Sequence, residues 1–212
     1  MSKKVLIIDA GLGNIGSVKA AFRRLDCLVS CYDQPPNDNE KDFTHLVLPG
    51  VGSFKYGMEA LEKKGWDLWI KEKWATENKP LLGICLGMQL LASTGEEGSS
   101  TNQPVRGLDI LPGNVVRFHI KKDIILPHVG WNSLTYSDNK NTILKGIPNK
   151  SDFYYVHSYH FQSKDTKNVI AKCEYGETFE AIVGLGNCFG VQFHPEKSQK
   201  VGKALLLNFL NL

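Results

Sequence analysis

Cys85 has neighbours that could make its thiol a nucleophile. The segment Gly83-Ile84-Cys85-Leu86-Gly87 has the form small-x-nucleophile-x-small, and it stands where an apolar run gives way to helical spacing. A tight turn there would push the central side chain out of the sheet, and bulky residues two places away on either side would clash. A helix N-terminus also favours the thiolate. A buried cysteine beside two packing glycines would give the same segment, so these residues alone leave both interpretations open.

A candidate base lies far along the chain, in Gly190-Val191-Gln192-Phe193-His194-Pro195-Glu196. Residues two apart on extended backbone point the same way, so Glu196 could accept a hydrogen bond from one ring nitrogen of His194 while the other faces a thiol. Pro195 is expected to hold the intervening backbone extended. A histidine after a strand is usually structural, and Glu196 could be a solvated charge. The pairing with the cysteine turn makes a catalytic role the preferred interpretation.

Acyl-transfer chemistry also needs backbone N–H groups that hold an oxyanion. Gly50, Val51 and Gly52 end an apolar run, and glycines there permit an N–H to turn inward. The amide of Leu86 follows the candidate nucleophile directly. These four residues are therefore candidate oxyanion donors, although an ordinary strand-to-helix turn would also explain the glycines.

The elements that must position these residues alternate between strand and helix in the first half of the chain. Short apolar runs predict strands that are buried on both faces, and the intervening spacing predicts helices, so we expect a parallel sheet covered by helices on both sides. Closely spaced strands after a polar loop at 96–103 predict an antiparallel extension. The predicted strands are 5–9, 28–32, 45–48, 80–84, 115–119, 152–156, 169–173, 181–185 and 189–193, and the predicted helices are 17–25, 54–64, 66–78, 86–93 and 198–210.

Composition limits the classes of protein that fit. A chain of 212 residues with 42% hydrophobic residues suits one α/β domain over 1–212, and 25 Lys+Arg against 22 Asp+Glu argue against nucleic acid or an anionic membrane as partner. No segment approaches the ~18 apolar residues of a spanning helix, so a cytosolic protein is expected. The five cysteines are odd in number and are not spaced like the ligands of a metal site. Four of them are interpreted as small buried residues: Cys27, Cys31, Cys173 and Cys188.

Taken together, these motifs resemble the class I (triad) glutamine amidotransferases. The resemblance covers nearly the whole chain and implies a three-layer, flavodoxin-like α/β fold with a largely parallel central sheet and an antiparallel extension. It implies that Cys85 attacks the carboxamide of glutamine, that His194 passes protons to the leaving ammonia, and that Glu196 orients His194. It implies no metal and no cofactor.

Within that class the chain is most similar to the glutaminase subunits of imidazole glycerol phosphate synthase, which supply ammonia in histidine biosynthesis. The motifs that carry this likeness are Gly11-Leu12-Gly13-Asn14, Pro49-Gly50-Val51-Gly52-Ser53-Phe54, Leu108 with Pro112-Gly113-Asn114-Val115, Pro127-His128-Val129-Gly130-Trp131-Asn132, Val156-His157-Ser158-Tyr159 and His194-Pro195-Glu196-Lys197-Ser198. The likeness implies that L-glutamine is held by Gln89, Glu97, Ser158 and Tyr159. It also implies a heterodimer with a (β/α)8-barrel cyclase that faces Asn14, His128, Trp131, Asn132 and Lys197.

Three alternatives remain at this stage. Departures from the family pattern at 9–11 and 92–95 leave open a paralogue that feeds ammonia to another synthase, such as one that aminates a surface sugar. Gly11-Leu12-Gly13-Asn14-Ile15-Gly16 matches G-x-G-x-x-G after a strand, with Asp33 roughly 20 residues on, which is the pattern of a nicotinamide-dependent oxidoreductase. A scaffold without catalysis is the third, although all three triad residue types are present.

Overall fold

The computed structural model describes residues 3–37, 42–99, 103–119, 124–137 and 141–212, so 100–102 of the predicted polar loop lie outside the described residues. The five helices are α1 (Ile15–Arg23), α2 (Phe54–Lys64), α3 (Trp66–Glu77), α4 (Leu86–Leu90) and α5 (Gln199–Leu210). The strands are β1 (Lys4–Ile8), β2 (Leu28–Tyr32), β3 (His45–Gly50), β4 (Leu81–Cys85), β5 (Thr94–Gly95), β6 (Val105–Arg106), β7 (Gly113–Arg117), β8 (His128–Ser133), β9 (Asp152–His157), β10 (Tyr159–Ser163), β11 (Val169–Tyr175), β12 (Glu177–Leu185) and β13 (Cys188–Val191).

Eleven strands of the described residues form one sheet in the order β2-β1-β3-β4-β13-β12-β10-β7-β5-β6, with β11 paired to β12. The pairs from β2 to β13 are parallel, and β12 pairs antiparallel with β10, β11 and β13. This confirms the predicted parallel sheet with an antiparallel extension. The strand predicted at 189–193 lies at the junction, since β13 is parallel to β4 and antiparallel to β12. β8 and β9 form a separate antiparallel pair.

Helices cover both faces of the parallel part because its strands are apolar on both sides. Successive residues of β1 point to opposite faces: Ile7 packs in one core cluster with Phe22 of α1, and Ile8 packs in another with Phe54 of α2 and Trp66 of α3. Two apolar clusters on either side of a sheet give the expected three layers. No helix within the described residues is long and apolar enough to cross a bilayer.

The sequence predicted the long elements better than the short ones. The predicted helix at 86–93 ends at Leu90, and β5, β6, β8 and β10 were not predicted. β5 and β6 have two residues each, and β8 has no clear alternation of buried and exposed residues, so their strand structure depends on pairing with distant neighbours. All five thiols are free, and of the four cysteines interpreted as buried, only Cys31, on the edge strand β2, is partly exposed.

Candidate active site

Cys85 occupies a sharp turn between β4 and α4. Its backbone has φ 53° and ψ −112°, a conformation that residues with a side chain rarely adopt. A Cβ on Gly83 would lie 2.7 Å from the carbonyl oxygen of Gly87, and a Cβ on Gly87 would lie 1.7 Å from that of Leu48. Both flanking glycines are therefore required by close packing. Gly50 of β3 lies opposite Cys85 in the parallel register.

His194 and Glu196 meet through a tight turn after β13. Nδ1 of His194 lies 2.8 Å from Oε1 of Glu196, and the two side chains are 2% and 0% exposed. The prediction of extended backbone at Pro195 is wrong, because Pro195–Lys197 forms a turn of 3-10 helix. Proline suits the start of such a turn, since its φ is already helical and no N–H is needed there. The turn brings the carboxylate back to the ring.

Cys85 and His194 line the same cavity, and the thiol is close enough to the ring to act on its pKa. The hydrogen bond that Sγ donates goes to the carbonyl oxygen of Val156, at 3.7 Å. Because Nδ1 faces Glu196, Nε2 is the ring nitrogen that remains for the sulfur. Burial acts to lower the pKa of His194, yet the nearby thiol of Cys85 and the hydrogen-bonded carboxylate of Glu196 raise it to about 9. The ring is therefore protonated at neutral pH, and an imidazolium beside a thiol favours the thiolate. The structure brings together the three side chains predicted as nucleophile, base and orienting acid.

Cys85 and His194 line a cavity of about 270 Å³, close to the lower end of the volumes that hold small molecules. Glu196 is not among its walls and lies on the far side of the His194 ring. Gly50 does not line the cavity either. The other seven residues predicted to bind the oxyanion or the substrate all do: Val51, Gly52, Leu86, Gln89, Glu97, Ser158 and Tyr159.

Comparison with known proteins identifies the family. Residues 6–211 match the family Glutamine amidotransferase class-I. The chain belongs to this family. Imidazole glycerol phosphate synthase subunit HisH 1 of Prochlorococcus marinus (strain MIT 9313) is 50% identical to it, across 100% of this chain and 99% of that protein. Subunit HisH 1 of Campylobacter jejuni (strain RM1221) is 41% identical, across 98% of this chain and 100% of the relative.

Solved structures share the fold at low sequence identity. A chain in a structure of PurLQS from Thermotoga maritima has a TM-score of 0.74 at 18% identity, with 100% of this chain and 99% of that chain covered. A glutamine amidotransferase from Thermotoga maritima has a TM-score of 0.65 at 19% identity, with 100% and 84% covered. The class I amidotransferase fold predicted from the motifs is confirmed.

The glycine-rich segment at the end of β3 does not present all of its amides to the cavity. The backbone N–H of Val51 donates to the carbonyl oxygen of Leu12 at 2.9 Å. An amide that is bonded there cannot also stabilise an oxyanion at Cys85. The prediction of Val51 as an oxyanion donor is therefore not met in this conformation, although its side chain lines the cavity. Leu86, at the start of α4, directly follows the nucleophile as predicted.

Two polar side chains lie where the substrate's polar end was expected. Nε2 of Gln89 donates to the carbonyl oxygen of Tyr159 at 2.9 Å and to Oε1 of Gln192 at 3.0 Å. Oε2 of Glu97 accepts the backbone N–H of Phe54 at 2.9 Å, while burial raises the pKa of this carboxyl. Gln89 is thus held by two acceptors, and Glu97 is held at the start of α2.

The residues predicted to face a partner lie in different environments. The side chain of His128 is buried and stacks on the ring of Tyr175, with 3.9 Å between the ring centroids. The prediction that this side chain faces a partner is therefore wrong. Trp131 is 49% exposed. Asn132 donates to the carbonyl oxygen of Glu174, and Asn14 donates to Glu196. Lys197 is exposed, and its ammonium group lies 5.7 Å from the centre of the Tyr154 ring.

Gln192 contacts the nucleophile and was not predicted. It is fully buried, and its Nε2 lies 3.9 Å from Sγ of Cys85 while its Oε1 accepts from Gln89. The signal was available, because Gln192 stands two residues before His194 at the end of a strand, and residues two apart share a face. The sulfur therefore has this amide and the carbonyl oxygen of Val156, at 3.7 Å, as polar neighbours.

A chain of hydrogen bonds leads from β8 into the cavity wall. Nδ1 of His157 lies 2.8 Å from the carbonyl oxygen of Tyr159, its Nε2 lies 3.0 Å from Nδ1 of His128, and Nε2 of His128 lies 3.4 Å from Nδ2 of Asn132. Burial lowers the pKa of His128 to about 4 and that of His157 to about 3, so both rings are neutral at pH 7. A carbonyl only accepts, so each histidine must donate through Nδ1 and accept at Nε2.

These buried rings predict a pH-dependent stability. Below pH 6.5 the unfolded chain binds protons on His128 and His157 that the folded chain does not bind until pH 4 or 3 is approached. Their contribution is therefore complete above pH 6.5 and falls as the pH drops, by about 1.4 kcal/mol per pH unit for each ring. Urea unfolding at pH 7 and pH 5 should show a smaller loss for His128→Gln than for the wild type. His119→Gln, at a side chain that is 78% exposed, is the control, and equal losses in wild type and His128→Gln would refute the argument.

Proposed function

We propose that the chain is the glutaminase subunit of an imidazole glycerol phosphate synthase. It hydrolyses L-glutamine to glutamate and ammonia and passes the ammonia to a cyclase subunit in histidine biosynthesis. The observation that carries the proposal is that Cys85 and His194 line one cavity while Glu196 holds the far side of the His194 ring through a hydrogen bond. Relatives named imidazole glycerol phosphate synthase subunit HisH, at 38–50% identity over nearly the whole chain, support the choice of synthase.

We infer further that the chain acts as one domain over 1–212, in the cytoplasm and without a cofactor. The family match over 6–211 supports a single unit. Five free thiols, including the one at the active site, suit a reducing compartment.

The geometry supports a two-step hydrolysis. Sγ of Cys85 attacks the carboxamide carbon of glutamine, and the C–N bond breaks as His194 gives its proton from Nε2 to the leaving nitrogen, which leaves a thioester and ammonia. Water then attacks the thioester carbon while His194 takes a proton from it, the C–S bond breaks, and glutamate leaves. Glu196 holds the ring in the required orientation and stabilises its charged form.

The amino-acid end of glutamine is proposed to bind at the opposite side of the cavity. Glu97 is a half-buried carboxylate that suits the α-ammonium group, and the backbone of Ser158 and Tyr159 offers further polar groups. Gln89 holds the carbonyl of Tyr159 in place. Backbone groups near Gly52 and Leu86 are proposed to hold the oxyanion.

We propose that a (β/α)8-barrel cyclase binds the face that carries Trp131 and Lys197 and activates the subunit. Val129 and Trp131 stand two residues apart on β8, so they share a face, and they are 55% and 49% exposed; neighbouring exposed apolar side chains suit a partner contact. The N–H of Val51 is bonded to Leu12, so a further oxyanion donor becomes available only if this bond breaks. Partner binding that shifts this loop would therefore increase hydrolysis.

Reconstitution tests the proposal. The purified chain is combined with candidate barrel cyclases, and glutamine hydrolysis is measured with and without the cyclase and its ligand. We expect slow hydrolysis by the chain alone, and faster hydrolysis together with glutamine-dependent formation of imidazole glycerol phosphate in the complex. Full activity of the isolated chain would contradict activation by the partner. The absence of glutamine hydrolysis in every complex would favour the alternative of a scaffold without catalysis.

The same assay distinguishes two other functions. Glutamine-dependent amination only with a synthase that acts on a surface sugar would identify a paralogue. The oxidoreductase alternative has no support from the site, because the glycine-rich loop that suggested it contacts Val51 and Glu196 instead. Quenching of tryptophan fluorescence by a dinucleotide would reopen it.

A further inference from the structure

The loop that matches the dinucleotide-binding pattern delivers one side chain to the catalytic carboxylate. Gly11 and Gly13 have φ values of 82° and 71°, and Asn14, at the start of α1, has φ 54°. Nδ2 of Asn14 lies 2.5 Å from Oε1 of Glu196 across 182 residues of sequence. This oxygen is the one that lies 2.8 Å from Nδ1 of His194.

We propose that Asn14 is a positioning residue that orients Glu196 and, through it, the ring of His194. The proposal rests on the proposed function, because it assigns Asn14 a part in the same reaction. Asn14 does not touch the sulfur or the cavity in which glutamine would bind. It therefore acts only through the carboxylate.

The hydrogen bonds of Glu196 explain why a second donor matters. Oε1 accepts from both Asn14 and His194, whereas Oε2 is buried with no hydrogen-bond partner among the described residues. With Asn14 removed, one hydrogen bond to the ring would be the only described bond that fixes the carboxylate plane. A buried carboxylate held by a single bond is less well oriented and less well stabilised as an anion.

Asparagine suits this position for two separate reasons. Its backbone lies in the left-handed region, which asparagine, aspartate and glycine tolerate better than other residues. Its side-chain amide is a donor, which an ionised carboxylate requires, whereas aspartate of the same shape is an acceptor. Glycine and aspartate therefore change the side chain at Asn14 without adding backbone strain.

Other charged and titratable groups around the triad must be included in any measurement against pH. Cys85 faces the His194 ring from the turn between β4 and α4, and His157 faces it from β9. The charged side chains beside the outer face of Glu196 or next to it in sequence are all cationic: Arg24 of α1, Lys197, and Lys200 and Lys203 of α5. None of them changes in the variants below.

The test uses the isolated full chain and needs neither glutamine nor a partner. The rate of Cys85 alkylation by iodoacetamide is followed against pH by mass spectrometry, which separates Cys85 from the other thiols. The pKa of the His194 ring is measured by NMR. For Asn14→Gly we expect a fall in the pKa of His194 from about 9 and alkylation of Cys85 about tenfold slower at pH 7.

Asn14→Asp tests whether the hydrogen-bond donor of Asn14 matters, because aspartate keeps the shape of the side chain and lacks the donor. Two carboxyl groups at this distance would share a proton, so the pair would titrate with a raised pKa. We expect the alkylation profile to gain an extra ionisation that is absent from the wild type and from Asn14→Gly. A role limited to loop structure would not produce it.

Unchanged alkylation profiles and an unchanged pKa of His194 in both variants would overturn the proposal, even if the variants bound a cyclase poorly. If neither variant folds, the test is made on the wild type by NMR. The Nδ2 resonance of Asn14 should shift over the pH range in which His194 titrates. A resonance that does not shift would count against the proposal. These readouts differ from glutamine hydrolysis. An altered alkylation profile with no glutaminase activity in any complex would leave the positioning role intact and remove the proposed function.

Discussion

Replacing Cys85 with alanine should abolish glutamine-dependent synthesis by the complex and leave synthesis from added ammonium unchanged. The variant lacks the sulfur that forms the thioester, so glutamine hydrolysis should fall by a factor on the order of 10⁴ or more. The cyclase reaction uses ammonia and needs no group from this cavity. Both activities are measured on the same preparation, with the complex verified by gel filtration.

Cys31→Ala is the matched control for this experiment. Cys31 lies on the edge strand β2, does not line the cavity, and is only partly buried, so its removal should change neither activity. Loss of both activities in Cys85→Ala with an intact complex would mean that Cys85 is not confined to glutamine cleavage. Retained glutamine-dependent synthesis would remove Cys85 as the nucleophile and with it the proposed mechanism.

The parts of the site that were predictable are those fixed by local chemistry. Cys85 between two glycines predicts a tight turn, because any side chain at Gly87 would strike the neighbouring strand. His194 and Glu196 were also identified from residue type and spacing. Their backbone was not, since the turn between them is fixed by Ser198, whose hydroxyl donates to the carbonyl of His194 and accepts the N–H of Tyr154 from β9.

The rest depends on contacts between distant segments. His128 was expected at a surface, but it stacks against Tyr155 and Tyr175, which come from strands 27 and 47 residues further along the chain. The bond between Val51 and Leu12 joins two loops that follow different strands. No local pattern indicates which carbonyl an amide will meet, so the state of the oxyanion segment could be learned only from the structure.

Gly87→Ala should be the most damaging single-methyl substitution in the catalytic turn. The new Cβ would lie 1.7 Å from the carbonyl oxygen of Leu48 and 2.7 Å from its carbonyl carbon. Both are backbone atoms of β3 in the middle of the parallel sheet, so relief requires α4 to move away from the strand. We expect a loss of about 3 kcal/mol or more in the free energy of unfolding, measured by urea titration.

The same movement should also displace the nucleophile. α4 begins at the residue after Cys85, so a shift of this helix withdraws the sulfur from the His194 ring, and alkylation of Cys85 should slow even where the variant stays folded. Gly16→Ala is the control, because Gly16 lies in the first turn of α1 with nothing within 4 Å of its added Cβ and alanine is the better helix former. A Gly87→Ala variant as stable and as reactive as Gly16→Ala would show that β3 and α4 are not packed as closely as the turn at Cys85 requires.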